Sequence, residues 1–428
     1  MVDDILSIQK CSDSFKANAI INAFIELKKL TLSEKKCNRI HIGKQLKECP
    51  ELKVHSKTMK TSEKEKYFGD IVDKTGKCKA TIADRVAKGY GIVSEIQAII
   101  KEVPLGKYKL ETGLKLRQAM LINGILYNSE AWHAVTDEDI LALQKVDEML
   151  LRFLLNSHSK APIEFLYLES GAIPIKYILS SRRMTYLQTI LRRDNDELTK
   201  RVYIAQQSDP CEGDFAKLVQ DDFNMVGMTF DQNLIEHTGV EMFKTTVKTK
   251  IREAALTYLK NIQQTHTKVK DIKYEELKTQ QYLKSPLFSN SETSLLYALR
   301  SRTADNFKAN FRNMFANVVH CPLDCQEEGE AKEDDTQKHL LLCSKLKCEQ
   351  THNVASGQVL YEDIFGEVNK QKEAVVLFNR LIEARLRILK ERENQPPGDD
   401  LDPSMGSNCL CIVDSLFTNC INCVYIGK

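Results

Sequence analysis

Apolar positions along most of the chain recur every three or four residues, the spacing of amphipathic helices. The pattern also predicts a long amphipathic stretch near the C-terminal end, from Glu373 to Arg392. Residues 205–240 show no clear period and are predicted to be irregular. The main predicted helices lie at about 81–102, 109–128, 137–156, 175–193 and 241–265, with prolines at positions 104, 162 and 174 between them.

The N-terminal quarter has a mixed pattern. A helix is predicted from Cys11 to Leu30, and an alternating strand at Ile40 to Gly43. Tyr67 to Val72 is predicted to be a strand that enters a tight turn, with Gly76 closing a hairpin. We therefore expect a mainly α fold with a small α/β region at the N-terminus.

Length and composition narrow the class of protein. A chain of 428 residues is long enough for two or three domains. It has no run of 18 apolar residues, so no membrane span is expected, and its acidic start does not resemble a secretory signal. Several of its 13 cysteines stand alone, which favours reduced thiols. We expect an intracellular protein of the nucleus or cytoplasm that is not secreted.

The formal net charge of +2 hides an uneven distribution. Residues 1–110 hold 22 Lys and Arg against 14 Asp and Glu, whereas residues 321–400 hold 11 against 17. A basic N-terminal quarter suits a phosphate backbone as partner, and it predicts a steep salt dependence of binding. A solvated lysine surface with no partner explains the charge equally well.

Several short motifs occur in one order along the chain. Met1-Val2-Asp3-Asp4 resembles the x-x-Asp-Asp box of reverse transcriptases. Lys28 to Cys37, followed by Ile40 to Gly43, resembles the next block of that family, and Lys66-Tyr67-Phe68-Gly69-Asp70 resembles the hairpin that grips the primer end. Two later segments resemble the thumb of non-LTR (LINE-type) retrotransposon polymerases: Tyr127 to Trp132 and Ala161 to Gly171.

Roughly residues 1–395 resemble the C-terminal part of such a polymerase, from mid-palm through the thumb to a Cys/His segment. The resemblance implies a small α/β palm remnant, a helical thumb and a C-terminal helical region with a small zinc-knuckle-like module. It divides the chain into 1–78 (partial palm), 79–200 (thumb), 201–304 (helical connection), 305–350 (Cys/His segment), 351–393 (C-terminal helix) and 394–428 (linker and cysteine-containing tail).

The resemblance also implies a chemistry. Polymerisation transfers a phosphoryl group, and two Mg²⁺ ions neutralise the attacking and leaving oxygens. By resemblance Asp3 is the principal metal ligand, Asp4 its helper, and Lys36 belongs to the block that approaches the incoming triphosphate. The residues 67–69 are expected to hold the primer end, with an RNA template and a DNA primer as partners.

The upstream palm strands and the fingers of that family have no counterpart in these motifs. We therefore expect the chain alone to lack RNA-directed DNA polymerase activity, and primer extension abolished by replacing Asp3 would overturn this. The alternative function is a non-enzymatic nucleic-acid-binding remnant. Each motif also has a plainer interpretation: Asp3-Asp4 as a helix cap or chain end, Lys36 as a surface lysine, Tyr67 and Phe68 as core residues, and Trp132 as thumb core.

Cys321, Cys325, His339 and Cys343 form the pattern C-x3-C-x13-H-x3-C. Three thiolates and an imidazole suit tetrahedral Zn²⁺, and residues 339 and 343 are one helical turn apart. The sequence therefore predicts a structural zinc site, whose alternative is four reduced side chains with accidental spacing. Nearby residues that could substitute as ligands are Cys348, His320 and His352.

Two further segments remain open. A basic and aromatic stretch precedes the Cys/His segment and suits binding of single-stranded RNA, although an amphipathic helix explains it equally well. It comprises Arg300, Arg302, Lys308 and Arg312 with Phe307 and Phe311. Cys409, Cys411, Cys420 and Cys423 have an acceptable metal spacing but lie outside the family resemblance.

Overall fold

The structure is a computed structural model, and it describes residues 14–28, 38–42, 53–54, 57–103, 108–267, 269–304, 321, 323, 325, 337–346 and 361–393. Of these residues, 67% are helical and 5% lie in strands, which confirms the mainly α fold. None of the described helices is long and apolar enough to cross a membrane.

The described N-terminal residues form one helix and three two-stranded sheets. The elements are α1 (Ser14–Leu27), β1 (Asn38–Arg39), β2 (Lys53–Val54), β3 (Lys57–Thr58), β4 (Lys60–Thr61), β5 (Lys64–Tyr67) and β6 (Asp70–Asp73). In the first sheet β1 pairs in parallel with β4, and the other two sheets are the antiparallel pairs β2–β3 and β5–β6.

The β5–β6 hairpin lies where a hairpin was predicted, but its turn falls elsewhere. Tyr67 pairs with Asp70, so Phe68 and Gly69 form a two-residue loop within the segment predicted to be one strand. Both loop residues have positive φ, +46° and +89°, as type I′ hairpin turns require. The expectation of a continuous strand that turns near Gly76 was therefore wrong.

The remaining chain is helical. The helices are α2 (Lys79–Glu102), α3 (Lys109–Leu116), a π-helix (Arg117–Ile122), α4 (Asn123–Ile125), α5 (Asp137–Leu155), α6 (Ile163–Ser170), α7 (Ile175–Leu191), α8 (Leu198–Ser208), α9 (Phe215–Met225), α10 (Gln232–His237), α11 (Val240–Gln263), α12 (Asn290–Arg300), α13 (Gln337–Leu342) and α14 (Val368–Glu393). Short 3₁₀ turns lie at Ser129–Ala131, Gln281–Leu283, Ser344–Leu346 and Tyr361–Phe365.

The long helices match the sequence pattern within a few residues. Helix α5 begins with a capping box, in which the Thr136 hydroxyl accepts from the Asp139 amide while the Asp139 carboxylate accepts from the Thr136 amide. The prediction that residues 205–240 are irregular was wrong, since α9 and α10 lie there. These helices are short, and α9 lies between Gly213 and Gly227, which have positive φ, so the apolar period repeats over too few turns to be recognised.

One apolar core runs through the helices on both sides of the predicted boundary at residue 200, which falls inside α8. Helix α2 packs against α5, and α7 packs against both α9 and α11. Trp132 is only 2% exposed in this core, which confirms its expected packing role. The predicted thumb and the predicted connection region therefore form one helical body.

Three arginine–carboxylate pairs are buried inside this body. Arg117 donates to both carboxylate oxygens of Asp147, at 2.6 and 2.7 Å, and Tyr167 donates to the same carboxylate. Arg183 forms the equivalent two-bond pair with Asp222 at 2.6 and 2.8 Å. Each pair joins two helices, and each carboxylate accepts a further hydroxyl or a second guanidinium bond, so these buried charges are compensated in place.

The third pair is the most enclosed. The Glu169 carboxylate, fully buried at the end of α6, accepts from the Arg300 guanidinium at 2.8 Å. The hydroxyls of Tyr274 and Tyr282 donate to the same carboxylate at 2.5 and 2.6 Å. Although burial disfavours the charge of Arg300, the carboxylate of Glu169 raises the pKa of the guanidinium above its ordinary value. We call these four residues the Glu169 cluster.

Candidate functional site

The Cys321, Cys325, His339 and Cys343 side chains converge, and we call them the Cys₃His cluster. One potential ligand atom from each lies within 4.8 Å of all the others. The Sγ atoms of Cys321 and Cys343 are 3.9 Å apart, and Cys325 Sγ lies 3.4 Å from His339 Nε2. Ligand atoms around a tetrahedral Zn²⁺ with bonds of about 2.0–2.3 Å are separated by roughly 3.4–3.8 Å. The four donors therefore fit a zinc ion.

Helix α13 and the residues after it position two of the four donors. His339 lies in α13, and Cys343 follows its last residue, so the two side chains share a face of the helical turn. Leu340 and Leu346 are buried, and α13 packs against α14. Leu323, between the first two cysteines, has no exposed surface. The cluster is thus held by local apolar packing that continues the main core.

The donor set is that of a structural metal site. Cys321, Cys343 and His339 are 8% or less exposed, and Cys325 is partly buried. Four protein ligands complete a tetrahedron, whereas catalytic zinc sites keep one position for water or substrate. The Cys₃His cluster could therefore hold a metal such as zinc in a stabilising role.

The thiols of this cluster influence one another's protonation. A hydrogen bond from Cys343 lowers the pKa of Cys321 to about 5. The same hydrogen bond, together with burial, raises the pKa of Cys343, and burial raises that of Cys325. One thiolate thus forms readily while the others resist ionisation without a cation, so metal binding would release protons from the cluster.

The β5–β6 hairpin is the second region of interest, because its turn presents an aromatic ring to solvent. Phe68 is 63% exposed, and its ring makes an edge contact with that of Tyr67 at 4.5 Å between centroids. Gly69 follows at φ +89°, where a β-carbon would come within 3.3 Å of both Arg85 and Tyr127. The alternative that Phe68 is a core residue of the hairpin is therefore wrong.

One residue of helix α2 and one residue of the turn after α4 hold the hairpin turn in place. Arg85, on α2, donates to the Gly69 carbonyl at 3.0 Å and to the Asp70 carboxylate at 3.1 Å. Asn128, which has a positive φ itself, donates to the Phe68 carbonyl at 3.3 Å and to Asp70 at 3.1 Å. The Arg85 guanidinium also lies 5.1 Å from the Tyr127 ring centroid. The exposed Phe68 ring thus lies on a turn whose backbone is held by hydrogen bonds from Arg85 and Asn128.

The surroundings of the hairpin are basic. Residues 57–88 contain nine Lys and Arg against five Asp and Glu. A hydrogen bond with the Lys88 amine, and repulsion between the two like charges, lowers the pKa of Lys66. The side chains of Lys64, Lys66, Lys74, Lys77 and Lys88 are exposed. Lys74 and Lys88 form exposed ion pairs with Glu63 and Asp84, but the net charge of this segment stays positive, which suits an anionic partner.

Some predicted site residues lie outside the described part of the chain. These are Asp3, Asp4 and Lys36 of the predicted catalytic site, Lys308 and Arg312 of the basic stretch, and Cys348, His320 and His352 beside the Cys₃His cluster, together with the cysteines of the 409–423 segment. Within the described residues nothing supports a Mg²⁺ site, since the grouped metal donors found there are those of the Cys₃His cluster.

The structure places two predicted nucleic-acid contacts in internal interactions. Arg300 is 3% exposed and belongs to the Glu169 cluster, which argues against direct contact with a nucleic acid. Arg302, with a φ of +50°, donates to the Thr267 carbonyl and to Asp271 at 3.1 and 3.2 Å. The sequence pattern gave no indication of these partners, because they lie far away along the chain.

Sequence reasoning also missed Arg85 and Asn128 as supports of the hairpin turn. Asn128 does fall in the Tyr127 to Trp132 motif, so the sequence singled out its segment but did not predict its contact with the hairpin turn.

In comparisons with known proteins, no family model, no curated protein and no solved structure matched the chain significantly.

Proposed function

We propose that this chain belongs to a reverse transcriptase of the non-LTR retrotransposon type and supplies the part that holds the primer–template duplex. The observation that carries the proposal is the β5–β6 hairpin with its exposed Phe68 ring, located at the point where the resemblance expects a primer-gripping hairpin. A helical body follows directly along the chain, as a thumb would.

The hairpin suits a nucleic-acid end for three physical reasons. Phe68 offers an apolar ring that can pack on a sugar or base, and such stacking tolerates any sequence. The exposed lysines around it attract phosphate groups. Arg85 and Asn128 fix the turn, so little conformational entropy is lost when a strand is bound.

The test is fluorescence anisotropy with the purified 428-residue chain and a labelled RNA–DNA hybrid whose primer has a recessed 3′ end. We expect Phe68→Ala to weaken binding of this hybrid by about fivefold or more, since stacking on one aromatic ring contributes about 1–3 kcal/mol. A matched control is Leu198→Ala, which removes a 73% exposed apolar side chain from α8. Equal binding by wild type and Phe68→Ala would contradict the role of the hairpin.

A second candidate function is nucleic-acid binding without polymerisation, and the Cys₃His cluster favours it, because a structural metal can stabilise a binding module with no catalytic site. Competition between the recessed hybrid and single-stranded RNA separates the two, because the chain alone is not expected to extend a primer. A preference for the recessed hybrid that Phe68→Ala removes would support the polymerase part. Equal binding of the two ligands, unchanged by Phe68→Ala, would support the second function. A chain that binds neither the hybrid nor single-stranded RNA at low salt would contradict both.

A further inference from the structure

A cationic pocket lies between the end of α2, the start of α3 and the end of α5, away from the hairpin turn and the Cys₃His cluster. Its volume is about 390 Å³, in the range of pockets that hold small ligands. Its lining includes Lys101, Lys109, Arg152, Phe153, Asn156 and Ser157. Three of these side chains are basic and none is acidic.

The three basic side chains have no acidic partner among the described residues. No carboxylate of this part of the chain lies within the 4.0 Å ion-pair distance of Lys101, Lys109 or Arg152. Glu148 lies one turn before Arg152 on α5 and is attracted to it, but the two side chains form no ion pair within 4.0 Å. The pocket therefore carries three basic side chains without a direct ion pair.

Neutral groups fix two of the three cations in place. Lys109 donates to the Phe153 carbonyl at 3.2 Å and to Asn156 Oδ1 at 2.8 Å. Arg152 donates to the carbonyls of His158 and Ala161 at 2.9 and 3.0 Å. An ammonium has three N–H groups and a guanidinium five, so both side chains keep donors for a ligand. Burial lowers the pKa of Lys109, as expected for a cation without a counter-charge.

The Phe153 ring adds an apolar surface between the two lysines. The Lys109 Nζ atom lies 4.7 Å from the ring centroid and the Lys101 Nζ atom 5.9 Å. These contacts hold both ammonium groups at the pocket without using their charge in an ion pair. The N–H donors of the basic side chains can bind the oxygens of a phosphate group, and the Phe153 ring beside them can pack against an attached sugar.

We propose that this pocket binds a phosphate group, and that the phosphate comes from the backbone of a nucleic-acid strand. The source of the phosphate rests on the proposed function, whereas the phosphate chemistry rests on the pocket alone. The pocket would then be a second contact with nucleic acid, separate from the hairpin.

The test uses charge reversal in the full chain. Lys101→Glu changes an exposed side chain at the end of α2, and Lys145→Glu makes the same change on the exposed face of α5, two turns before Arg152. Lys101→Arg keeps the charge. Binding of inorganic phosphate is followed by ³¹P NMR, and binding of a labelled single-stranded RNA is followed by anisotropy at several salt concentrations.

We expect Lys101→Glu to weaken phosphate and RNA binding by about tenfold, because one charge-assisted contact is replaced by a repulsion. The slope of log K against log salt should fall in magnitude by about 0.7, the value for one phosphate contact on a single strand. Lys101→Arg and Lys145→Glu should stay close to wild type. Circular dichroism confirms that the variants keep their helical content.

The outcomes separate this inference from the proposed function. If Lys101→Glu and Lys145→Glu bind both ligands equally well, the pocket is not a phosphate site, although RNA binding through the hairpin still stands. If only phosphate binding is lost, the nucleic-acid source is overturned. If the wild-type chain binds phosphate in this pocket but no nucleic acid, the phosphate site is upheld and the proposed function fails.

Discussion

The Glu169 cluster and the Cys₃His cluster both bring ionisable groups out of water, but they compensate for burial differently. Around Glu169, one guanidinium and two tyrosine hydroxyls satisfy the carboxylate within the chain. Around Cys343, three thiols and an imidazole face one another, and no cation of the described chain is seen among them. The buried Glu169 carboxylate is therefore compensated without a ligand, whereas burial of the ionised thiols becomes favourable once a metal ion supplies positive charge.

This difference predicts two kinds of stability in one molecule. The helical body from α2 to α12 should fold without metal, because the carboxylates of its three buried arginine pairs are neutralised by chain partners. The segment around α13 should depend on metal, because its donors repel one another as they ionise. Substitutions in the Glu169 cluster and in the Cys₃His cluster test the two expectations separately.

The largest effect is expected from Glu169→Gln. The substitution leaves the Arg300 guanidinium buried without its counter-charge, so the free energy of unfolding should fall by about 3–5 kcal/mol. Urea unfolding followed by circular dichroism measures the change. The control is Glu253→Gln, which removes an exposed ion pair with Lys250 and should cost less than about 1 kcal/mol. Equal effects of the two variants would show that the Glu169 cluster does not hold the helical body together.

Removal of a metal ligand should act locally. We expect Cys343→Ser to weaken zinc binding by more than about 100-fold, since even indirect supports of a metal site contribute 10–100-fold. Hydrogen exchange should then increase in 337–346 and change little in α5. Competition with a chromophoric chelator measures the affinity, and a chelator added to the wild type should reproduce the exchange pattern.

The matched control for this ligand is Cys211→Ser, which removes an exposed cysteine between α8 and α9. It should bind zinc as the wild type does. If Cys343→Ser retains wild-type zinc affinity, or if the purified wild type binds no zinc, the Cys₃His cluster is a group of ordinary thiols and the comparison with the Glu169 cluster loses its basis.

The same comparison explains what the sequence could predict. The four potential metal ligands were found because a chelating pattern is local: Cys321 and Cys325 have an ordinary ligand spacing, and His339 and Cys343 are one helical turn apart. The Glu169 cluster was not found, because Arg300 lies 131 positions from its partner and no periodic pattern links them. Arg300 was therefore predicted to be a nucleic-acid contact within a basic and aromatic stretch.

The prediction of secondary structure was limited in the same way, because contacts between residues far apart along the chain could not be predicted. Long helices such as α5 were predicted because many turns repeat one apolar face and prolines separate several of the helices. The hairpin turn was misplaced, because the positive φ of Phe68 is unusual for an aromatic residue and depends on Arg85 and Asn128. Local patterns thus predicted elements, while contacts between distant residues determined the site.

The smallest effect concerns Glu148, a buried acid of the helical body that is attracted to Arg152 but forms no ion pair within 4.0 Å. Gln144 donates to it at 3.3 Å, but burial outweighs this bond and raises the pKa of the carboxyl above its ordinary value. A carboxyl whose pKa is higher in the folded than in the unfolded chain contributes stability below the unfolded pKa. That contribution is lost as pH rises through the folded pKa.

Glu148→Gln should therefore stabilise the chain at pH 7 by less than about 1 kcal/mol, and the gain should vanish below the unfolded pKa of about 4.3. Thermal unfolding of wild type and variant at pH 3.5, 5 and 7 measures the difference, with the exposed Glu95→Gln as control. A loss of stability at pH 7 would mean that attraction to Arg152 outweighs the cost of burial. Glu148 would then resemble Glu169, and every buried acid of the helical body would be compensated by an arginine.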